Sequence, residues 1–299
     1  MDQFHLMNVF VAVAEEQGFA AASRRLNISP PAVTRAVSAL EEKLGIKLLT
    51  RTTRHVRTTD AGQRYLQDAQ RILQELERAN ESAIGINSEP KGHLSVTAPV
   101  LFGQKYVMPS IAEYLNNYPE TEVDAVFLDR VVNLMEEGFD VGIRIGHLPD
   151  SNMHAKRVGT VRMHWLASSQ YLEKSGIPQF PEDLKQHSII MTNSSSMVQD
   201  WKFDFEGKQQ NLRLKPRLTV STNQSAINAA KLHLGIIHTL SYQVEDELNH
   251  GELKTVLENY EPPAMPVHIV HREGRHASSK IRSFIDILAK TLNKNKTIN

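Results

Sequence analysis

The stretch Phe19-Ala-Ala-Ala-Ser-Arg-Arg-Leu26, Asn27-Ile-Ser29, Pro30-Pro-Ala-Val-Thr-Arg-Ala-Val-Ser-Ala-Leu40 decides the fold of the first part of this 299-residue chain. Its small alanines let a second helix cross closely, and a Ser-Pro junction is typical of a helix start. Val33, Val37 and Leu40 then recur at helical spacing. The stretch therefore predicts two helices joined by a tight turn, the helix-turn-helix that reads the major groove of DNA.

The polar side of the second helix carries side chains that can reach DNA bases. Thr34, Arg35 and Ser38 lie off the apolar stripe, and an arginine offers two parallel donors to guanine. We also expect Ser29 to cap this helix through its side chain, and the amides at the helix start to face phosphate.

Positive charge is concentrated around this stretch. Residues 19–57 contain eight Lys or Arg and two Glu, a formal balance of +6, whereas the whole chain has 34 basic and 34 acidic residues. Such a patch on a neutral protein indicates a polyanion partner. The alternative is an ordinary helical hairpin with a solvated basic face, but the basic segment 46–58 also predicts a two-stranded wing, which favours DNA.

A long helix is expected after the wing, because Thr58-Thr59-Asp60 is a typical helix start. Its apolar residues are spaced alternately by three and four, which is the pattern of a helix that pairs with a second helix. The alternative is a helix that lies on its own domain. The residues expected at a dimer interface are Tyr65, Ala69, Ile72, Leu76 and Ala79.

Beyond a Pro- and Gly-containing hinge at 88–93, strands and helices alternate, which predicts an α/β domain with a parallel sheet. A helix at 104–118 and a short helix at 131–137 are expected between the first three strands. The expected strands are 94–98, 122–128, 140–145, 165–168, 188–192, 214–220, 235–238 and 266–270. Further helices are expected at 224–234, 242–248 and 278–292.

Composition excludes several classes of protein. The chain has no cysteine, so disulfide scaffolds, thiolate zinc sites and cysteine nucleophiles are excluded, and a cytoplasmic protein without cofactors is expected. No apolar run approaches the roughly 20 residues of a membrane span. His268 and His271 are offset by three within an expected strand, so they point to opposite faces and predict no metal site.

Many segments in unbroken order resemble the family of LysR-type transcriptional regulators. They include Gly18-Phe-Ala-Ala-Ala22, Leu26-Asn-Ile-Ser-Pro30, Leu40-Glu-Glu-Lys-Leu-Gly45 and Thr58-Thr-Asp-Ala-Gly62, and in the second half Phe127-Leu-Asp-Arg130 and Glu137-Gly-Phe-Asp-Val-Gly-Ile-Arg-Ile-Gly146. The resemblance covers essentially the whole chain.

The resemblance implies a transcription factor with a winged helix-turn-helix, a dimerising linker helix and a two-lobed α/β effector domain similar to periplasmic binding proteins. Its expected bounds are 1–58, 59–87, a hinge at 88–93, and 94–299, with one lobe at 94–162 and 267–299 and the other at 163–266. The implied partners are an inverted-repeat promoter DNA, a small anionic or aromatic effector between the lobes, and RNA polymerase. Homodimers that assemble into tetramers are also implied.

For DNA contact, the family pattern carries over onto Pro30, Pro31, Thr34 and Arg35, with Arg51 and Arg54 in the wing. Many relatives have Gln where this chain has Pro30, and a proline cannot make the paired hydrogen bonds with which Gln reads adenine. Relatives also often have Gly at the position of His233, so the second lobe is expected to differ locally.

For the effector, the first strand of the α/β domain ends in Thr97-Ala-Pro-Val-Leu-Phe-Gly103 and leads into a helix, so free amides are expected to bind an anion there. The alternative for Val100 and Phe102 is plain core, for Arg144 a structural ion pair, and for 193–196 a polar loop. The candidate residues are Pro99, Val100, Phe102, Arg144, Asn193, Ser195, Thr222 and Asn223.

Two other functions were weighed. One is an architectural DNA-binding protein without a ligand, against which a domain of about 200 residues argues. The other is an enzyme, but the chain has no Gly-rich phosphate loop, no Gly-x-Ser-x-Gly elbow and no His-Glu-x-x-His motif. We therefore expect no enzymatic activity.

Overall fold

The computed structural model describes residues 2–51, 56–84, 89–148, 153–192, 200–205, 208–272, 277–295 and 297–298. The chain divides into two compact units, Met1–Ile86 and Asn87–Asn299.

The first unit is a winged helix-turn-helix followed by one long helix, as predicted. Val33, Val37 and Leu40 are fully buried against Phe10 and the other apolar residues of the first helix. The two wing strands pair antiparallel. The elements are α1 (Gln3–Glu15), α2 (Phe19–Leu26), α3 (Pro30–Leu44), β1 (Leu49–Arg51), β2 (Val56–Thr58) and α4 (Asp60–Ile84).

The backbone of Leu48 joins three of these elements. Its amide donates to the carboxylate of Glu41 in α3 at 2.9 Å, and its carbonyl accepts from the amide of Thr59 at 2.9 Å. The hydroxyl of Thr59 also caps α4 by accepting from the amide of Gly62 at 2.8 Å. A Cβ atom on Gly62 would lie 1.9 Å from the carbonyl oxygen of Leu48, so only glycine permits this approach.

The second unit contains a five-stranded sheet in the order β4-β3-β5-β14-β6 and a three-stranded sheet in the order β12-β7-β13. The pair β8 and β11 is parallel, and β9 and β10 form a hairpin. The strands are β3 (Gly92–Ala98), β4 (Thr121–Phe127), β5 (Val141–Ile145), β6 (His154–Val161), β7 (Met163–Ala167), β8 (Ile190–Thr192), β9 (Asp200–Phe205), β10 (Lys208–Arg213), β11 (Leu218–Val220), β12 (Ile237–Leu240), β13 (Lys254–Val256) and β14 (Met265–His271).

Helices cover these sheets. A helix expected at 104–118 begins earlier and is split by a π-helical stretch, Gly103–Val107. The α-helices are α5 (Val100–Phe102), α6 (Met108–Asn117), α7 (Ser169–Ser175), α8 (Asn223–Lys231), α9 (Glu245–Asn249) and α10 (Ser279–Asn293), and short 3-10 helices lie at Pro181–Gln186, Ser241–Gln243 and Glu258–Tyr260.

The chain passes between the two sheets at Arg162, since β6 lies in the five-stranded sheet and β7 in the three-stranded one. It returns between β13 and β14. We call the part around the five-stranded sheet lobe I and the part around the three-stranded sheet lobe II. Tyr242 belongs to lobe II by its position in the chain, but its ring packs in the core of lobe I.

The expected helix at 131–137 was wrong. The side-chain oxygen of Asn133 accepts from the amide of Met135 at 3.1 Å, and Gly138 ends the turn with φ of +79°. The amide of Phe139 then bonds to the carbonyl of Leu134 at 2.9 Å. A polar residue that starts a turn and a glycine that closes it leave room for a single turn, not a helix.

The expected parallel sheet was only partly correct. β3 pairs in parallel with β4 and β5, but β14 is antiparallel to both β5 and β6. The strands β6, β9, β10 and β13 were not predicted, and the strand expected at 214–220 is reduced to β11. None of the helices in the described ranges combines the length and apolar character that crossing a membrane requires.

We predict that Gly62→Ala destabilises the first unit, although alanine is the better helix former by about 1 kcal/mol. The new methyl group must push α4 away from the carbonyl of Leu48, which costs about 1–3 kcal/mol. Calorimetry of the full chain measures the transition of this unit, with Gln67→Ala on the exposed side of α4 as the control. A higher melting temperature in Gly62→Ala would contradict the close approach.

Candidate functional sites

The turn between α2 and α3 is held by one buried serine. The hydroxyl of Ser23 donates to the carbonyl of Ile28 at 2.5 Å, and the amide of Ile28 returns a bond to the carbonyl of Ser23 at 3.2 Å. Asn27 takes the left-handed conformation, with φ of +52°, that ends α2. Sequence reasoning missed Ser23, although a serine within an apolar helix face signals a buried hydroxyl that needs a partner.

The outer face of α3 presents the candidate DNA-contacting side chains. Pro30, Pro31, Arg35 and Ser38 are exposed, and Thr34 is half-buried. Among the described residues, Arg35 has no hydrogen bond or ion pair. Its guanidinium is therefore available to a partner that supplies acceptors.

The start of α3 differs from expectation. The side chain of Ser29 makes no capping bond. Pro30 and Pro31 have no amide hydrogen to offer it, and the amide of Ala32, the usual third-position donor, bonds to the backbone carbonyl of Ser29 instead. The next two amides, of Ala32 and Val33, both donate to the carbonyl of Ser29, at 2.9 and 3.1 Å. No free amide is left there for phosphate, so DNA contact at this end of the helix falls to side chains.

Among the basic residues whose side chains the structure describes, Arg25 and Lys47 form ion pairs within the unit. Arg25 pairs with Glu15 at 2.6 Å. Lys47 pairs with the buried Glu41 at 2.6 Å. Burial by itself would raise the pKa of Glu41. The hydrogen bonds from Lys47 and from the amides of Leu49 and Leu48 lower the pKa by more than burial raises it, so the pKa lies below its ordinary value.

The wing is described only in part. The backbone of Arg51 lies in β1 and its side chain is not described, while Arg54 lies outside the described residues. Arg24 and Arg57 are exposed, and neither has an ion pair with a described residue. They add cationic side chains to the surface around α3.

The N-terminal part of the long helix α4 packs on its own domain. Tyr65 and Ala69, expected at a dimer interface, pack instead in the core of the first unit, where the ring of Tyr65 lies 5.6 Å from that of Phe10. Ile72 is 41% exposed and Leu76 is half-buried. The side chain of Ala79 is not described. The side chains of Tyr65 and Ala69 are therefore unavailable to a second copy.

The expected anion site at the end of β3 is already filled by a carboxylate of the chain. Pro99 precedes α5, and the amide of Val100 donates to Oδ1 of Asp129 at 3.0 Å. The other oxygen, Oδ2, accepts from the side-chain amide of Asn223 in lobe II at 3.3 Å. Sequence reasoning did not select Asp129, although it follows β4, the parallel neighbour of β3, so the carboxyl ends of both strands meet there.

Two candidate effector residues have structural roles. The ring of Phe102 is fully buried in the core of lobe I, 5.0 Å from Tyr106 and 5.2 Å from Tyr242, so it offers no surface to a ligand. The guanidinium of Arg144 donates to the backbone carbonyl of Val132, and burial lowers the pKa of Arg144. The bond holds the 131–138 turn, so the guanidinium is engaged within lobe I.

On the side of lobe II, Thr222 caps α8 by accepting from the amide of Ser225 at 3.1 Å. Asn223 begins that helix and reaches Asp129 across the cleft. Asn193 and Ser195 lie outside the described residues. A second contact between the lobes lies nearby, where Lys105 pairs with Glu245 at 2.7 Å.

A small cavity of about 20 Å³ lies in lobe II beside Asn223. His238 lines it, with its ring stacked on Trp165 at 4.7 Å and tilted against Trp201 at 5.1 Å. Burial, followed by the charge of His164, lowers the pKa of His238 to about 3, so the ring is neutral. The other lining residues are Ile190, Met191, Thr192, Trp201, Ala226, Ile237 and Thr239.

The Nε2 atom of His238 is buried and has no hydrogen-bond partner among the described residues. The sequence analysis did not select His238. A histidine at the end of the apolar run Gly235-Ile-Ile-His238 indicates a buried polar ring. Within the described ranges no cluster of three or more His, Asp or Glu side chains is placed to hold a metal ion.

Family models match almost the whole chain. The model described as "LysR substrate binding domain" matches residues 87–293. The model described as "Bacterial regulatory helix-turn-helix protein, lysR family" matches residues 4–63.

Relatives of known name agree with these matches. An uncharacterised HTH-type transcriptional regulator of Haemophilus influenzae is 31% identical over 281 residues, which cover 94% of this chain and 98% of that protein. The HTH-type transcriptional regulator CrgA of Neisseria meningitidis serogroup B is 30% identical over 97% of both chains. The solved structure of CrgA from Neisseria meningitidis, a LysR-type transcriptional regulator, has a TM-score of 0.62 and 29% identity over 97% of this chain and 99% of that chain.

We predict that Glu41→Gln destabilises the first unit by about 1–2 kcal/mol at neutral pH, because it removes the charge that the three donors stabilise. The pKa of Glu41 is lowered by folding, so its contribution is present above the ordinary carboxyl pKa and is lost as the pH falls through the lowered value. The difference in melting temperature between the two proteins should therefore shrink toward acid pH. Glu42→Gln, at the exposed neighbouring position, is the control, and a constant difference across pH would contradict the assignment.

Proposed function

The chain belongs to the LysR-type family of DNA-binding transcriptional regulators, and we propose that it binds inverted-repeat promoter sites as a dimer under the control of a small molecule bound between its lobes. The observation that carries the DNA-binding part is the outer face of α3. There Arg35 is exposed and has no partner among the described residues, while the inner face is wholly buried.

Reading of the operator falls on the side chains of α3. Arg35 offers the two parallel donors that match a guanine, and Thr34 and Ser38 flank it. Since the start of α3 has no free amide, the unbonded hydroxyl of Ser29 replaces the expected backbone contact to phosphate. Arg51 and Arg54 complete the interface from the wing, with Arg54 in the minor groove, where the potential is strongly negative.

The dimer is proposed to form along α4 beyond the part that packs on α1. Ile72 is 41% exposed on this helix, and Leu76 follows it at the spacing of a helix pair. A two-fold dimer presents two copies of α3 to the two halves of an inverted repeat. Assembly of dimers into tetramers and contact with RNA polymerase complete the proposal.

The effector is proposed to bind in the cleft where Pro99, Val100 and Asn223 meet. Two features support this location. Neutral hydrogen-bond donors from both lobes converge there on one carboxylate, and the cavity lined by His238 lies directly beside Asn223. The two donors suit an anionic metabolite, and the cavity of about 20 Å³ beside them has room for one small polar group of it. An aromatic metabolite would bind outside this cavity, between the lobes.

We predict that Arg35→Ala weakens binding to the operator by roughly tenfold to a hundredfold, the loss of one bidentate base contact. Footprinting on the best fragment from genome-wide capture of bound DNA measures the effect. Arg64→Ala, which removes an exposed arginine from α4 and leaves α3 unchanged, is the matched control.

Sharp inverted-repeat sites lost only in Arg35→Ala would support the specific regulator. Diffuse, salt-sensitive binding that ignores Arg35 would favour the architectural alternative, since contacts to phosphate alone carry no sequence information. If binding is specific but no compound of a metabolite screen alters it, the proposal of a sequence-specific regulator is supported and the proposal of an effector is contradicted.

We also expect Ile72→Asp to shift the protein toward the monomer, because a carboxylate would have to be buried between the paired helices without a partner. Analytical ultracentrifugation measures the shift in mass. Gln67→Asp adds the same charge at an exposed position of the same helix and should leave the dimer intact. An unchanged dimer in Ile72→Asp would place the interface elsewhere.

A further inference from the structure

The carboxylate of Asp129 joins the two lobes, and no cation among the described residues pairs with it. Oδ1 accepts from the amide of Val100 in lobe I at 3.0 Å, and Oδ2 accepts from the side-chain amide of Asn223 in lobe II at 3.3 Å. Both donors are neutral, and either would serve any other carboxylate equally well. Asp129 is itself exposed, so its side chain can leave the site without crossing a packed core.

Two cations in the neighbourhood of Asp129 pair with other acids. Lys105 pairs with Glu245 at 2.7 Å, and Arg130 pairs with Glu137. Among the described residues, no Lys, Arg or His forms an ion pair with Asp129. The two neutral donors are therefore what holds the negative charge between the lobes.

The site continues beyond the carboxylate. Asn223, which binds Asp129, also lines the cavity of lobe II, where the buried Nε2 of His238 lacks a partner among the described residues. A buried polar nitrogen without a partner costs free energy unless a bound molecule satisfies it. A carboxylate in the place of Asp129 would therefore have its attached atoms beside a cavity that offers one unused hydrogen-bonding group.

We propose that Asp129 is a resident anion: in the ligand-free protein its carboxylate occupies the position of the effector's carboxylate and holds the cleft closed. The inference rests on the proposed function of the cleft, and it assigns the effector to carboxylates that carry a second, neutral hydrogen-bonding group small enough for the cavity. Such a ligand binds by exchange, since its carboxylate takes over Val100 and Asn223 while Asp129 swings out to solvent.

The absence of cysteine from the chain makes the test direct, because two introduced cysteines are the only labelling sites. Spin labels at Asn117→Cys in lobe I and Lys174→Cys in lobe II, both exposed positions, report the distance between the lobes in the full-length protein. We expect Asp129→Ala to lengthen and broaden this distance. Formate, the group that the substitution removes, should restore the short distance in Asp129→Ala, whereas chloride at equal ionic strength should not.

Matched variants fix the interpretation. Asp124→Ala removes an exposed carboxylate from β4 and should change nothing. Asn223→Ala should lengthen the distance, and formate should not restore it, because the donor of lobe II is gone. Wild-type protein should ignore formate at the concentration that restores Asp129→Ala, because its own carboxylate occupies the site at high effective concentration.

An unchanged distance in Asp129→Ala would overturn the proposal, because the carboxylate would then not hold the cleft. A lengthened distance that formate fails to restore would also overturn it, because the site would not accept a free carboxylate. Neither result bears on DNA binding, which the loss of operator binding in Arg35→Ala tests separately. The proposed DNA-binding function would therefore remain supported even if the role of Asp129 were refuted.

Discussion

The backbone of Leu48 is the point on which the first unit depends. Its amide donates to the buried carboxylate of Glu41, and its carbonyl accepts from the amide of Thr59. The helix α4 can approach this carbonyl closely only because residue 62 is glycine. The end of α3, the base of the wing and the start of α4 meet there. The junction therefore connects the helix proposed to contact DNA to the helix that is proposed to pair.

The sequence predicted those parts of the fold that depend on local pattern. The Ser-Pro junction and the apolar stripe of α3 correctly indicated the helix-turn-helix, and the alternation after residue 94 correctly indicated an α/β unit. The hairpin of β9 and β10 and the antiparallel β14 were not predicted, because their pairing is between segments and leaves little local signal. Similarly, the heptad spacing from Tyr65 onward correctly indicated an apolar stripe on α4. The spacing alone could not show that Tyr65 and Ala69 of this stripe pack on helices of the same chain.

The candidate sites were predicted unevenly for a physical reason. The outer residues of α3 follow directly from helical periodicity. The cleft does not, because it is assembled from the ends of elements far apart in sequence, and a residue type alone does not reveal whether a side chain faces core or cleft. Phe102 turned inward to two tyrosines. The departure noted at His233 has a visible cause: the residue takes φ of +63°, a conformation that glycine adopts freely, and its ring bonds to Ser168 at 2.7 Å.

The paired prolines at the start of α3 have an evolutionary consequence. Because the carbonyl of Ser29 satisfies the first two available amides, the exposed side chains around the helix start contribute nothing to the capping of α3. Mutations at these outward-facing positions can change the preferred operator without a matching penalty in folding. The recognition surface is thereby freed to diverge among descendants of this chain, while selection for stability acts on the opposite face of the same helix.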